Sequence, residues 1–351
     1  MVTMQQVADR ANVSISTVSF VVNGTKPVTP ETRDRILSAI DELGYRRNSM
    51  ARALASRKSH VIALIYPLLD HRHHHSFVDA AATAAEELGY SLVLWPIHSD
   101  NVTTEITSLI QAGFADGVIL MEVQMEDERV QHLQRADAPF ALIGRTRELD
   151  GIDYVDIDFE RSIETAIDDF AELGHREICL VVEDLSGTPL ARYSPPLRTE
   201  QAFNETIAAR GLTGTVLRVG HDSASVLPLT EQLARHAPDA TAVIAVHDEA
   251  AFSLVNTLQR RGVRIPEDIS IVGVATSTAT GDLLTPPLTT YQAPGSPLGR
   301  LAAQALIARI EGRMDAPTQM RIPCSLHEGG SVAPAPHGRA PLTKLLGIAA
   351  A

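Results

Sequence analysis

The 351-residue chain has only two cysteines, Cys179 and Cys324, far apart and beside strand-like residues. That excludes a disulfide framework and a cysteine metal site, and leaves buried, inert thiols. Aromatic residues make up only 4% of the chain, and no apolar run reaches the roughly 18 residues of a membrane span. The opening stretch MVTMQQVADR lacks the basic-then-apolar pattern of a secretory signal, which predicts a cytoplasmic protein with no membrane partner. The patterns G-x-x-x-x-G-K-[ST], G-x-G-x-x-G and G-x-S-x-G are also missing, and the scattered Asp and His show no acid–base spacing. The chain is therefore expected not to be an enzyme and to need no cofactor.

Positive charge is scarce too, with 30 Lys and Arg against 43 Asp and Glu and a net charge of −13. Its distribution is uneven. Residues 1–60 hold nine bases and five acids, net +4, while the other 291 residues carry −17. A basic head can bind phosphate locally while an acidic body is repelled from it, as in a nucleic-acid binder. At this length two or three compact units are expected.

In the head, Thr3 and Gln6 form a capping box that opens a helix over Met4–Ala11, with Val7, Ala8 and Ala11 on one face. After a turn at Asn12-Val13, Ser14 caps a second helix whose Val18, Val21 and Val22 must face inward. Stepping 100° per residue puts Ser16, Ser19 and Phe20 on the opposite side, with Ile15 at the N-terminal edge. A helix, a tight turn and a second helix with short exposed side chains is the helix-turn-helix arrangement, in which the second helix enters the major groove N-terminus first. A third helix starts at Thr29-Pro30, buries Ile36, Ile40 and Leu43, and stops at Gly44. The basic stretch that follows has a helical part, Ser49 to Ser56, too short to be stable alone. Two readings stand: a hinge that orders on DNA with Leu54 wedged between base steps of the minor groove, or a plain interdomain linker.

The stretch VTMQQVADRANVSISTVSFVVNG…VTPETRDRILSAIDELGYRRNSMARALASRKS closely resembles the LacI/GalR family of bacterial transcription regulators. The likeness continues through ELGHREICLV, HDEAAFSLVNTLQRRGVRIPEDISIVGV and PPLTTY, over residues 2–333. It implies that Ile15 and Ser16 occupy base-reading positions, that Thr3, Ser14, Thr17, Ser19 and Asn23 meet phosphates, and that Leu54 is the hinge wedge, with Asn48 and Arg52 in the same DNA-binding set. Phe20 stands where many members have arginine. It meets either a thymine methyl or the sugar backbone, or else packs on the surface; in each case one cationic contact is missing.

From Val61 onward apolar runs alternate with amphipathic helices: VIALIY, SLVLW, GVILM and FALIG, then EICLVV, TVLRV, AVIAV and ISIVGV. Continuous apolar strands imply parallel sheets covered on both faces, here two Rossmann-like lobes with a ligand cleft at the strands' carboxyl ends. The expected fold is an all-α helix-turn-helix headpiece with a hinge helix, followed by an α/β two-lobed domain that by resemblance is periplasmic-binding-protein-like. The divisions are a helix-turn-helix domain at 1–46, a hinge helix and linker at 47–60, an effector-binding and dimerisation domain at 61–333, and a mobile tail at 334–351. Lobe 1 takes about 61–155 plus 292–318, and lobe 2 about 156–289 plus 319–333.

The resemblance places a small-molecule effector between the lobes, commonly a sugar or nucleoside in this family. Candidate effector residues are His73, His74, Arg145, Arg198, His247, Asp248 and Ala275, with Asp158 a further strand-end candidate. His247-Asp248 replaces the family's Asn-Asp, and Val274, Ala275 and Thr276 replace an aromatic-Asp-Asp run, so the carboxylate that grips sugar hydroxyls is absent there. Arg198 precedes Phe203 by five residues where the family has four. For Arg145 and Asp158 a surface ion pair is an equal alternative. The run LLDHRHHHSF, with His71, His73, His74 and His75, reads as a metal site, as ligand-recognising imidazoles or as a solvated loop; no metal ligand is assigned from it.

The leading expectation is a repressor that binds a palindromic operator in double-stranded DNA as a homodimer, or as a tetramer, under control of a small polar metabolite. A metal-responsive regulator using His71–His75 and a solute-binding protein are the alternatives. The attached head and the missing signal pattern argue against the solute-binding protein.

Overall fold

The structure is a computed structural model that describes residues 2–23, 26–45, 58–66, 74–96, 102–188, 190–220 and 226–348. It divides into two compact units, Met1–Ser59 and His60–Ala351.

The head folds as its caps dictate. Helix α1 (Met4–Ala11) opens on the capping box, in which the Gln6 amide donates to Thr3 Oγ1 at 3.3 Å and the Thr3 amide donates to Gln6 Oε1 at 2.8 Å. Asn12 ends it in the left-handed region at φ 52°. Helix α2 (Ile15–Asn23) starts where Ser14 Oγ accepts the Thr17 amide at 3.1 Å. Helix α3 (Pro30–Leu43) is capped by Thr29 and stopped by Gly44 at φ 63°. The three helices bury Val7, Ala8, Ala11, Val18, Ile36 and Ala39, flanked by Val21, Val22, Ile40 and Leu43. The expected inward faces are the observed ones.

The second unit runs in order through β1 (Val61–Tyr66), α4 (His74–Glu87), β2 (Ser91–Pro96), α5 (Val102–Gln111), β3 (Gly117–Leu120), α6 (Glu128–Arg135), β4 (Phe140–Ile143), β5 (Asp153–Ile157), α7 (Phe159–Glu172), β6 (Glu177–Asp184) and α8 (Ser194–Arg210). It continues through β7 (Thr213–Gly220), α9 (Val226–His236), β8 (Ala242–Val246), α10 (Asp248–Arg260), β9 (Ser270–Val274), α11 (Thr278–Gly281), β10 (Thr289–Gln292), α12 (Gly295–Ile310), β11 (Gln319–Ile322), β12 (Ser325–His327) and α13 (Leu342–Leu345). One six-stranded sheet has the order β11-β5-β4-β3-β1-β2, the other β12-β10-β9-β8-β6-β7. All described pairings are parallel except β10 with β12. Each central strand is buried on both faces, as the unbroken apolar runs require. Glycine is required where α12 lies against α4: a Cβ at Gly299 would overlap the Phe77 carbonyl.

The boundaries differ from the sequence reading in two places. Residues 319–322, assigned to lobe 2, form β11 and pair with β5 in the first sheet, so the third exchange between lobes falls between Ile322 and Ser325. The expected mobile tail is also corrected. Leu342 is fully buried in the second lobe's core, Leu345, Leu346 and Ile348 pack beside it, and the Leu342 amide donates to the Pro238 carbonyl at 2.8 Å. The tail's apolar residues have a core to join, so burial outweighs the chain entropy of a loose end. Cys179 is buried, and burial pushes the Cys324 thiol up to about 11, so both are unreactive near neutral pH.

Candidate functional site

Two places gather the chemistry. On the head, Ile15 is 43% exposed at the start of α2, Ser16 is exposed beside it, and Thr17, Ser19 and Phe20 are half-buried. A large apolar residue held in solvent at a helix N-terminus, next to a short hydroxyl, is a surface shaped to meet base edges and methyl groups. The hydroxyls of Thr3, Ser14 and Thr17 are engaged locally: Thr3 caps α1, and Ser14 Oγ lies 2.8 Å from Thr17 Oγ1. Asn23 closes α2, its side chain lying outside the described residues, as do Asn48, Arg52 and Leu54 entirely. The Lys26 ammonium sits 5.0 Å from the centroid of the Phe20 ring.

The second place is the cleft between the lobes. It is lined by Phe77, Met121, Val123 and Ile143 of the first lobe, by Phe159, Tyr193 and Pro195 of the second, and by the polar groups of Glu122, Asp156 and His247. About 710 Å³ of empty space lies along it, counted out into open solvent. The loop after β3 meets the loop before α8 across the mouth: the Met125 amide donates to the Arg192 carbonyl at 3.0 Å and the Ser194 amide to the Val123 carbonyl at 3.2 Å. Glu122, His247 and Ala275 all line the cleft with positive φ, at 48°, 67° and 54°. For residues with a Cβ this backbone is costly, and such strain concentrates at binding sites.

A network of charges crosses from lobe to lobe. Asp156, at the end of β5, accepts from Arg198 Nη1 at 2.7 Å and from Arg145 Nε at 3.0 Å, and Arg145 also pairs with Glu160. Arg198 stacks over Phe159, its Cζ 5.9 Å from the ring centroid, and the same ring meets His247 edge-on at 6.2 Å. Burial pushes the Asp156 carboxyl upward, against the pull of both guanidiniums. His247 Nδ1 lies 3.3 Å from Glu183 Oε1. Burial disfavours its charge, yet Glu183 and Asp248 outweigh burial and hold the imidazole above its ordinary value. Burial lifts Glu122 to about 8, Arg129 opposing the shift and Glu183 adding to it.

The cleft thus draws in four sequence candidates: His247 and Ala275 on its wall, Arg145 and Arg198 behind Asp156. Arg145 is half-buried and pairs with the buried Asp156, so the pair is not a surface one. Asp248 is absent from the wall; its Oδ1 accepts the Ser277 amide at 2.7 Å and fixes the loop after β9. Asp158 is a helix cap, accepting the Arg161 amide at 3.1 Å; the cleft carboxylate is Asp156, two residues earlier and within β5. His73 lies outside the described residues; His74 begins α4, its side chain outside them. Glu122, Glu183, Tyr193 and Phe159 escaped the sequence reading; the end of a strand was the only signal that could have found Glu122 and Glu183. Among the described residues no group of three His, Cys, Asp or Glu side chains could hold a metal ion, and the histidine run lies largely beyond them.

Residues 3–48 match the bacterial regulatory proteins of the lacI family, and residues 167–332 match a periplasmic binding protein-like domain. The chain is 30% identical to the HTH-type transcriptional regulator CelR of Thermobifida fusca over 332 residues, covering 91% of this chain and 94% of that protein. It is 28% identical to catabolite control protein A of Priestia megaterium over 311 residues, 87% of this chain and 91% of that one. Among solved structures, the complex of transcriptional regulator CelR with cellobiose aligns over 95% of this chain and all of its own at 27% identity and a TM-score of 0.70. The lac repressor dimer bound to operator and an anti-inducer aligns over 95% and 99% with a TM-score of 0.82; at 24% identity it supports the fold.

Proposed function

The chain belongs to the LacI family of bacterial regulatory proteins, and from that premise we propose that it is a repressor whose homodimer grips a near-palindromic operator under control of a small polar metabolite in the interlobe cleft. It is a DNA-binding transcription regulator with a helix-turn-helix head, as its relatives are, and not an enzyme. Its work with DNA belongs in the cytoplasm.

The observation that carries the reading is the joining, in one chain, of a helix that exposes Ile15 and Ser16 at its N-terminus to a cleft where charged groups of two lobes converge. A ligand changes DNA affinity only through its different affinity for two arrangements of the protein. The ion pairs of Asp156 with Arg198 and Arg145, together with the backbone bonds at the cleft mouth, are contacts that such a ligand can strengthen or break. The sequence pattern lacked the usual carboxylate after β9, but Glu122, two residues beyond β3, and Asp156 on β5 bring carboxyl groups to the cleft wall. Carboxyl groups accept from hydroxyls, and apolar walls take the ring faces of a sugar or nucleoside. The cellobiose complex of the CelR regulator supports a carbohydrate-like ligand for the same cleft.

The test is recovery and sequencing of genomic fragments bound by the full-length protein at about 150 mM salt, where non-specific phosphate binding is suppressed. An enriched palindrome is the expected result. Binding without an enriched motif, in the presence and absence of sugars and nucleosides, would overturn the operator reading.

A further inference from the structure

The sequence left α2 one cation short, because Phe20 occupies a position on its outward face. The structure returns a cation to that place from three residues beyond the helix. Lys26 lies over the Phe20 ring at 5.0 Å, within the range of a cation–π contact, and no carboxylate among the described residues pairs with it. Arg10, by contrast, is tied to Glu42. Phe20 is half-buried, so the ring is a fixed platform, and helical phase sets it on the face that carries Ser16 and Ser19.

We propose that Phe20 and Lys26 act as one unit, the ring positioning the ammonium to contact a DNA backbone phosphate at the C-terminal edge of α2. The proposal rests on α2 being the helix that enters the groove. A groove-bound recognition helix presents its N-terminal residues to the bases, here Ile15 and Ser16, so a group beyond Asn23 lies at the end where the backbone passes. A lysine is a compact point charge suited to a phosphate, and its weakness is the freedom that a long stem loses on binding. Holding the ammonium over the ring incurs part of that loss before DNA arrives.

The experiment compares full-length wild-type protein with Lys26→Ala, Phe20→Leu, the double variant and Ser16→Ala. The probes are the genomic fragment that wild type binds best and a scrambled duplex of the same length, titrated at several salt concentrations. Lys26→Ala should weaken both duplexes by a similar factor and lower the slope of log affinity against log salt by about 1 for each head on the DNA. Phe20→Leu should weaken binding about two- to fivefold, the range of an exposed cation–π contact. The double variant should match Lys26→Ala, because the ring acts through the lysine. An unchanged slope in Lys26→Ala, a loss confined to the best fragment, or additive losses in the double variant would each overturn the proposal. Ser16→Ala separates the underlying reading: if it leaves discrimination between the duplexes intact, α2 is not the reading helix and the failure lies there.

Discussion

Glu122 shows how a single residue carries information that sequence alone hides. The stretch GVILMEVQ reads as a strand end followed by a polar turn, and nothing in its spacing says that the carboxyl group is 5% exposed and faces Glu183 from the other lobe. Burial lifts it from its ordinary 4.5 to about 8, so the folded protein binds a proton that the unfolded chain has released anywhere between those values. Stability must then fall as pH rises through that window, by on the order of 5 kcal/mol across it, at about 1.4 kcal/mol per unit of difference. Glu122→Gln keeps a neutral side chain of the same shape and removes this dependence. Urea unfolding from pH 5 to 9 should show wild type losing stability with pH more steeply than the variant, both retaining the contribution of the same sign from His247, which is also held above its ordinary value. Parallel curves would mean that Glu122 is ionised throughout. The Asp156–Asp158 exchange has a similar origin: the two lie close together at the end of one apolar run, and only the three-dimensional fold ends β5 between them, so that Asp156 meets Arg198 and Asp158 caps α7.

Elements were legible where local chemistry decides them. The capping box at Thr3–Gln6, the Thr29-Pro30 start and the Gly44 stop are written in adjacent residues, and the structure has each of them. The alternation of apolar strands and amphipathic helices likewise gave both lobes. What adjacent residues cannot encode is long-range pairing. Whether Gln319–Ile322 joins one sheet or the other depends on a register with β5, more than 150 residues earlier in the chain. The C-terminal segment is the clearest case. Its PLTKLLG pattern is too short for a stable helix alone, and α13 holds because Leu342 joins the buried core of the second lobe, with Arg339 nearby donating to the Ala240 carbonyl at 2.9 Å. Leu342→Ala should cost about 2 to 4 kcal/mol of unfolding free energy, as for other fully buried leucines, while Lys344→Ala on the exposed side should be near neutral. Equal, small effects of the two substitutions in urea unfolding would return the segment to the status of a loose tail.

At the scale of the whole molecule, the first sheet ends in β2, whose outer edge pairs with no strand among the described residues. Along it Val93, Leu94 and Trp95 are 36%, 49% and 37% exposed. Side chains alternate between the faces of a strand, so three successive partly exposed apolar residues mean that neither face of β2 is fully covered at this edge. Isolated proteins blunt such edges with charge, and this one does not. On the two-fold operator proposed above, a second copy of the chain is the partner called for, and two heads joined in one particle would bind half-sites with an affinity that neither head reaches alone, by a factor of roughly a hundred or more. Leu94→Asp places a charge in that edge. Sedimentation should then find wild type dimeric and the variant monomeric, with binding to the enriched genomic fragment lost by about that factor. Trp95 is the chain's only tryptophan, so its emission should shift to the red as wild type is diluted through dissociation and remain red-shifted in the variant at every concentration. A Leu94→Asp protein that still sediments as a dimer would place the two-fold axis on another face and leave the apolar edge of β2 to a different partner.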